Sequence, residues 1–417
     1  MSLKKLITYT ATLLLTITTN VFSQKSITTG QLNGSEDDTR PVESAVPFLT
    51  IAPESRGGAM GDIGVATSPD INSMHWNPAK YAFIDNKFGV SFSYTPWLRN
   101  LVSDIDLGYL VGYYRLDKYQ VIAASLRYFS LGEIEFRNEQ GEFIKPAKPN
   151  ELAVDATYSR LFGEHFSGAL AFRYINSNLA SGLSVMGVDS KAGQSFAVDV
   201  ATYYNNTVRI SDKDSKLSFG LNISNIGKKI SYGNDANKDF LPTNMRLGGA
   251  LCIDINNYNS FTFAADLNKL LVPTPPIYWT SVNGGDTTAN GNKIIKYGKD
   301  PNISVVSGIF QSFYDAPGVP NKDGHRSVLK EELREVYYSI GLEYWYRKQF
   351  AIRGGYFHEN QYKGNRKFFT LGLGLRLNVF GIDFSYLVPT HANNPLANTL
   401  RFTLSFDFGS TKKPKNL

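Results

Sequence analysis

Few residues of this chain are spaced to do chemistry, and those few bound what the remainder has to position. The five histidines, His75, His165, His325, His358 and His391, stand apart, with no HExxH pair to seat a zinc ion on one helix face. Serine is frequent, yet no GxSxG elbow presents one as an activated nucleophile. Asp235, Asn237 and Asp239 copy the opening of a calcium loop. Phe240, however, stands where the sharp turn needs glycine and Arg246 where a bidentate glutamate should close the site, so the stretch reads as a solvated loop. The glycine-rich stretch 46–83 has neither P-loop nor GxGxxG spacing and follows no strand, which argues against a phosphate cradle. No catalytic residue, metal ligand or cofactor is therefore expected, and function must lie in surfaces.

The element that delivers those surfaces begins with an export signal. Lys4 and Lys5 precede an apolar, Thr-rich run from Leu6 to Phe22 that ends at Ser23, which predicts a signal peptide over residues 1–23. The run is too short and too polar for a membrane anchor. No cysteine stands near the cleavage site to carry a lipid, and the single cysteine, Cys252, has no internal disulfide partner. Residues 24–45 are polar, carry Glu36-Asp37-Asp38 and lack periodicity, which predicts a flexible periplasmic tail.

Composition excludes helical membrane spans. Hydrophobic residues make up 42% and mean hydropathy is −0.22, and no apolar run after the signal peptide is long enough to cross a bilayer as a helix. Aromatics nevertheless reach 13%, with 24 Tyr and 27 Phe, and period-two alternation is strong from Lys87 onward. In lipid only helices and closed barrels satisfy every backbone group, so an exported chain of this kind points to a transmembrane β-barrel. A large soluble sandwich or propeller is the rival that composition alone leaves standing.

Leu400, Phe402, Leu404, Phe406 and Phe408 alternate with Arg401, Thr403, Ser405 and Asp407, which assigns one set to lipid and the other to a lumen. Fourteen such runs occur between 88 and 408, and connections after odd-numbered runs are long while those after even-numbered runs are short, 205–216 being the exception. Long extracellular loops alternating with short periplasmic turns mark an outer-membrane barrel, spanning 87–409. Paired aromatics at run ends, such as Tyr94 with Trp97, Tyr113 with Tyr114, Tyr128 with Phe129 and Trp345 with Tyr346, read as interfacial girdles. Fourteen strands enclose a lumen wider than their own side chains fill. Residues 46–86, rich in Gly and Ala and closing on a rigid Asn77-Pro78 turn, are expected to plug it.

The longest connection, 269–335, exceeds what a connector needs. It opens on Pro273, Pro275 and Pro276 beside Tyr278 and Trp279, and it carries an apolar run from Ile303 through Ile309 and Phe310. Folding back over its own lumen and docking on another membrane protein both fit. Of the charged residues, whose net charge is +6, those in the basic tail 410–417 and in the loops suit solubility, lipopolysaccharide or an acidic partner rather than nucleic acid.

Arg56-Gly57-Gly58-Ala59-Met60-Gly61, followed by Ala66, Asp70 and Asn77-Pro78-Ala79, resembles the N-terminal signature of the FadL-like outer-membrane barrels. A second matching block is Asn225-Ile226-Gly227 with Leu241-Pro242, Arg246 and Gly248. Within that superfamily the chain resembles the PorV family of type IX secretion. The resemblance implies an all-β, fourteen-stranded outer-membrane barrel without enzymatic activity. It would associate with the translocon barrel, collect cargo by its C-terminal signal domain and pass it to the cell-surface attachment machinery. The alternative within the superfamily is a FadL-type transporter of hydrophobic compounds, with 46–83 as a gated hatch.

Because no histidine has the partners that catalysis or metal binding requires, replacing any single one by alanine should leave secretion or transport largely intact. A variant that folds and inserts but loses activity would reveal a site that spacing does not show.

Overall fold

The computed structural model describes residues 39–410, apart from 100–101, 103, 138–140, 180–183, 186–187, 211–212, 234–237, 280–292, 322 and 391–395. The signal peptide, the tail up to residue 38, the basic tail from 411, Asp235, Asn237 and His391 lie outside the described residues.

Fourteen strands close a barrel in chain order: β1 (Asn86–Pro96), β2 (Asp106–Arg115), β3 (Gln120–Ser130), β4 (Asn150–Leu161), β5 (Phe166–Asn178), β6 (Gly193–Ile210), β7 (Lys213–Gly227), β8 (Asn244–Asp254), β9 (Ser260–Leu270), β10 (Tyr337–Tyr346), β11 (Phe350–His358), β12 (Lys367–Leu377), β13 (Phe380–Pro389) and β14 (Leu400–Ser410). Every neighbouring pair is antiparallel, and β14 closes on β1 with Phe92 opposite Leu404. The alternation inverts the arrangement of a soluble protein. Outward positions such as Phe92, Leu126, Phe172, Leu371 and Phe402 are exposed, whereas the inward Arg127, Arg353 and Arg401 are fully buried. No helix among the described residues is long and apolar enough to cross a membrane, so strands alone do the crossing.

One end of the barrel carries the short turns 116–119, 162–165, 255–259, 347–349 and 378–379; the other carries the long loops. The turn 347–349 uses left-handed backbone: Arg347 and Lys348 have φ of 53° and 54°, and the Gln349 amide donates to the Tyr346 carbonyl. The connection 205–216, expected as a longer turn, is instead paired strand, with Thr207 opposite Lys216 and Arg209 opposite Asp214. Alternation continues there through Thr207-Val208-Arg209-Ile210, but polar residues dilute it and mask the strand in the sequence.

The aromatic pairs also need correction. Neighbours on a strand point to opposite faces, so of each pair only Tyr114, Tyr128 and Tyr346 are well exposed outward. Tyr113 turns inward to donate to Asp407, Phe129 is buried, and Trp345 sits beneath the guanidinium groups of Arg353 and Arg376.

Residues 39–45 differ from the expected free periplasmic tail. The Arg40 amide donates to the Tyr362 carbonyl, its guanidinium pairs with Glu331 at 3.4 Å, and the Ala45 amide donates to Phe240, all three partners lying in long loops. From there the chain turns inward at Val46, whose φ of 47° is rare for a β-branched residue. It forms a 3-10 turn over Pro47–Thr50, then the short helices α1 (Ser55–Gly58) and α2 (Ser73–Trp76) and a second 3-10 stretch over Pro78–Phe83. It leaves at the short-turn end, where the Ala79 carbonyl accepts from Ser159 and Ser167 and Arg115 donates to the Ile84 carbonyl. Most residues from 46 to 82 are buried, packed against inward-facing strand residues such as Glu343, Asp266 and Thr370.

Inward-facing glycines make the room. A Cβ on Gly355 would lie 2.0 Å from the Met60 carbonyl carbon, and one on Gly220 would lie 2.1 Å from the Val65 carbonyl oxygen, in both cases against backbone. Gly355→Val should therefore expel or distort the segment rather than merely strain a rotamer. The purified barrel is expected to lose heat-modifiable migration or become sensitive to protease within residues 55–66; a variant indistinguishable from the parent in both would contradict the close packing.

Candidate functional site: the lumenal segment and the outer loop

The lumenal segment is held by charge. Arg56, in α1, makes a two-point pair with Glu343 of β10, Nε to Oε2 at 3.0 Å and Nη2 to Oε1 at 2.8 Å, and donates Nη1 to Asp70 at 2.8 Å. Glu343 in turn accepts from Arg353, which also donates to Asp383. All these groups are buried or nearly so, and a buried charge stripped of its partner costs about 3–5 kcal/mol. Glu54 caps α1 by accepting from the amides of Arg56 and Gly57 and from the Trp76 indole at 2.8 Å, tying the two short helices together. Asp266 of β9 accepts from the amides of Gly64 and Val65.

The small residues of the motif serve close approach. Gly57 lies against Glu54 and Trp76, Gly58 lies under Arg401, and Gly61 takes a φ of 82° while donating its amide to Thr370 at 2.8 Å. Met60 and Ala59 are fully buried. Asn77 donates from one amide nitrogen to the carbonyls of Val65 and Thr202 and caps Ala79, so that Pro78 starts the second 3-10 stretch. The two motif blocks, far apart in sequence, meet here: Arg246 donates to the His75 carbonyl at 2.8 Å, and Gly248 leaves space for Val65. Asn225, at φ of 61°, receives Arg173 and donates to the Pro242 carbonyl.

The residues anticipated in the outer loop separate into two groups. The Pro-rich opening is not on the surface: Pro276 is buried and Pro275 half-buried, because the chain from Leu271 to Thr274 lies under the rest of the loop. The apolar run is helical, α3 (Val305–Gln311), capped by Ser304, with Gly308 packed on Phe240 and Pro273. Ile309 is half-buried, whereas Phe310 is 66% and Val306 63% exposed. A second helix, α4 (Val328–Arg334), turns Leu329 and Leu333 to solvent. Trp279 is half-exposed with the Lys296 ammonium 4.9 Å from its ring, and Tyr278 is half-buried beside Lys293.

Sequence reasoning missed the ionic cluster that anchors this loop. Lys269 bridges Glu332 and Glu335, and Lys363 bridges Glu331 and Glu335, with all five groups largely buried. Thr274 donates its hydroxyl to Glu335 and its amide to Asp315, and the Ala316 amide donates to Glu332. The run Glu331-Glu332 with Glu335 is the only signal in the sequence, and it reads there as an ordinary exposed helix face. Burial pushes the Asp315 carboxyl up to about 6 and raises Glu332; at Glu331 burial acts the same way but is outweighed by Lys363 and Arg40, leaving it below its ordinary value. Beside the cluster, a cavity of about 450 Å³ lies between residues 41–50 and the rim, lined by Glu335, Tyr337, Glu359, Lys363 and Arg366 among others. No group of His, Cys, Asp and Glu side chains suited to a metal ion occurs among the described residues.

The model of the family described as Type IX secretion system protein PorV matches residues 34–277, more than half of the chain. The toluene transporter TbuX of Ralstonia pickettii is similar in structure at 11% identity and a TM-score of 0.42, covering 86% of this chain and 98% of that one. The toluene transporter TodX of Pseudomonas putida is similar at 12% identity and 0.44, covering 88% and 99%. A FadL homologue of Pseudomonas aeruginosa is similar at 11% identity and 0.43, covering 89% and 100%. No curated protein matches the sequence significantly.

The raised carboxyl of Asp315 has a pH consequence. Between its ordinary value of 3.8 and about 6 the closed loop holds a proton that the open loop has released, so closure weakens as pH rises through that window. Glu332 acts in the same sense, and the lowered Glu331 in the opposite sense at lower pH. Hydrogen-exchange protection at Thr274 and Ala316, corrected for intrinsic rates, should fall between about pH 4 and 6, and Asp315→Asn should flatten that fall. Protection that rises over the same range in the parent would refute this assignment.

Proposed function

The chain belongs to the type IX secretion PorV family, and from that premise we propose that it is a non-enzymatic outer-membrane component that associates with the translocon barrel. It collects cargo, recognised by its C-terminal signal domain, and passes it to release or to the cell-surface attachment machinery. The observation that carries this reading is the outer loop. Val306, Phe310, Leu329 and Leu333 face water from two short helices whose base is fixed by buried ion pairs. Apolar groups presented in this way are costly to leave wet, and a rigid base lowers the entropy lost on docking. In this reading residues 46–86 are a plug, and Arg56, Gly57, Gly58, Met60, Gly61, Asn77, Pro78 and Ala79 are its packing motif. Outer-membrane lipid and lipopolysaccharide surround the exposed strand faces.

The transporter alternative asks for a continuous apolar passage. Residues 46–82 occupy the lumen, and the cavity above them is edged by Glu335, Glu359, Lys363 and Arg366, which disfavours a hydrophobic cargo. Of the loop residues named from the sequence, Trp279 and Phe310 join the exposed apolar face of the outer loop, with Tyr278 and Ile309 at its edge and Pro275 and Pro276 as support.

Phe310→Asp combined with Leu333→Asp leaves every buried pair intact and should yield a heat-modifiable, inserted barrel. Its recovery of the translocon in affinity purification should fall at least about tenfold, the equivalent of roughly 1.4 kcal/mol, with cargo retained in the periplasm. Normal co-purification and secretion, or a change confined to uptake of hydrophobic compounds, would replace this reading with the transporter.

A further inference from the structure

The direction in which the chain runs through its own barrel assigns a side of the membrane to its beginning. Residues 40–50 meet the long-loop end. Arg40 meets Tyr362 and Glu331, Ala45 meets Phe240, and Phe48 and Leu49 pack among Ile105, Leu107, Phe129 and Leu241. Arg127 donates to the Leu49 carbonyl at 2.9 Å, and the Phe48 ring stacks on Phe129 with centroids 6.2 Å apart. Residues 79, 83 and 84 meet the strands at the opposite end, at Ser159, Ser167, Tyr203 and Arg115. The first strand starts, and the last strand ends, at that short-turn end.

We propose that the chain enters its lumen from the cell surface, so that Thr39 lies on the outer face of the membrane although β1 begins on the periplasmic face. The proposal uses the orientation of an outer-membrane barrel, long loops outward, and is independent of what the protein secretes or carries. Two features fix the entry point there. Arg40 is bound to Glu331, which is itself held by Lys363, so the start of the segment is attached to the base of the outer loop. Phe48 and Leu49 are 0% and 3% exposed, and drawing them back would return two large apolar side chains to water. Thr39, Pro41 and Glu43, all exposed, thereby join the face on which Phe310 and Leu333 are displayed.

The test is accessibility in whole cells. In a Cys252→Ser background, single cysteines at Thr39, at Glu133 in a long loop and at Glu164 in a short turn would each be treated with a membrane-impermeant maleimide, before and after permeabilising the outer membrane. All three positions are exposed and outside the packed lumen, and heat-modifiable migration reports that each variant is folded. Thr39→Cys should label in intact cells to the same extent as Glu133→Cys, while Glu164→Cys labels only after permeabilisation. Labelling of Thr39→Cys that follows Glu164→Cys overturns the proposal while leaving the secretion reading untouched. Labelling of Glu164→Cys but not Glu133→Cys in intact cells overturns it as well, by reversing the barrel.

Discussion

A fourteen-stranded barrel encloses more space than its inward side chains occupy, and most of this structure answers that single geometric constraint. Residues 46–82 pack against the inward faces of the strands, and what keeps them in place is the Arg56–Glu343 pair with its extension through Arg353 to Asp383. Charges belong in such a lumen only as completed sets, since each partner removed leaves another stranded in low dielectric. Close packing and charge pairing divide the task. Gly355 and Gly220 let backbone touch backbone, Gly248 makes room for the Val65 side chain, and the ion pairs fix rotation and depth once contact is made.

The period-two alternation made the strand count readable because lipid imposes it at almost every outward position; Phe402 and Leu404 against Arg401 and Thr403 need no tertiary context to be assigned. Where polar residues intervene, the signal fades. The hairpin around Thr207 and Arg209 keeps Val208 and Ile210 on one face, but Asn205, Asn206 and the charged Lys213-Asp214 dilute the pattern and its strands read as a turn. The aromatic pairs misled for the opposite reason: Tyr113 and Phe129 have the composition of an interface but the parity of a lumen. The motif Arg56 to Gly61 was visible as a dense run, but nothing local in the sequence links it to Glu343, 287 positions away. The ionic cluster beneath the outer loop escaped for the same reason, since Lys269, Glu335 and Lys363 converge only after the barrel closes.

The outer loop shows how one segment serves support and display together. Its buried half, from Leu271 to Thr274 with Asp315 and Ala316, resembles a domain core, and its helices α3 and α4 are short extensions of that core toward water. Sequence reading had offered folding back and docking as competing fates. Folding back describes the inner layer, which holds the prolines, while α3 and α4 form a layer exposed to water.

The β6–β7 hairpin gives the barrel an azimuth. Beyond Asn205, which still bonds His165, β6 pairs with β7 alone, because its ladder with β5 ends at Tyr204 and Phe166. The last six residues of β6, Asn205 to Ile210, therefore extend about 20 Å along the strand past that ladder at roughly 3.3 Å per residue. Barrels with level rims look alike from every side to a body approaching from below. This one carries a two-stranded post at a single position on its circumference, edged by Arg209, Lys213 and Asp214. A neighbour on the short-turn face meets that post at one rotation and clears it at others, so a feature of strand length alone distinguishes among otherwise equivalent ways of standing beside the barrel.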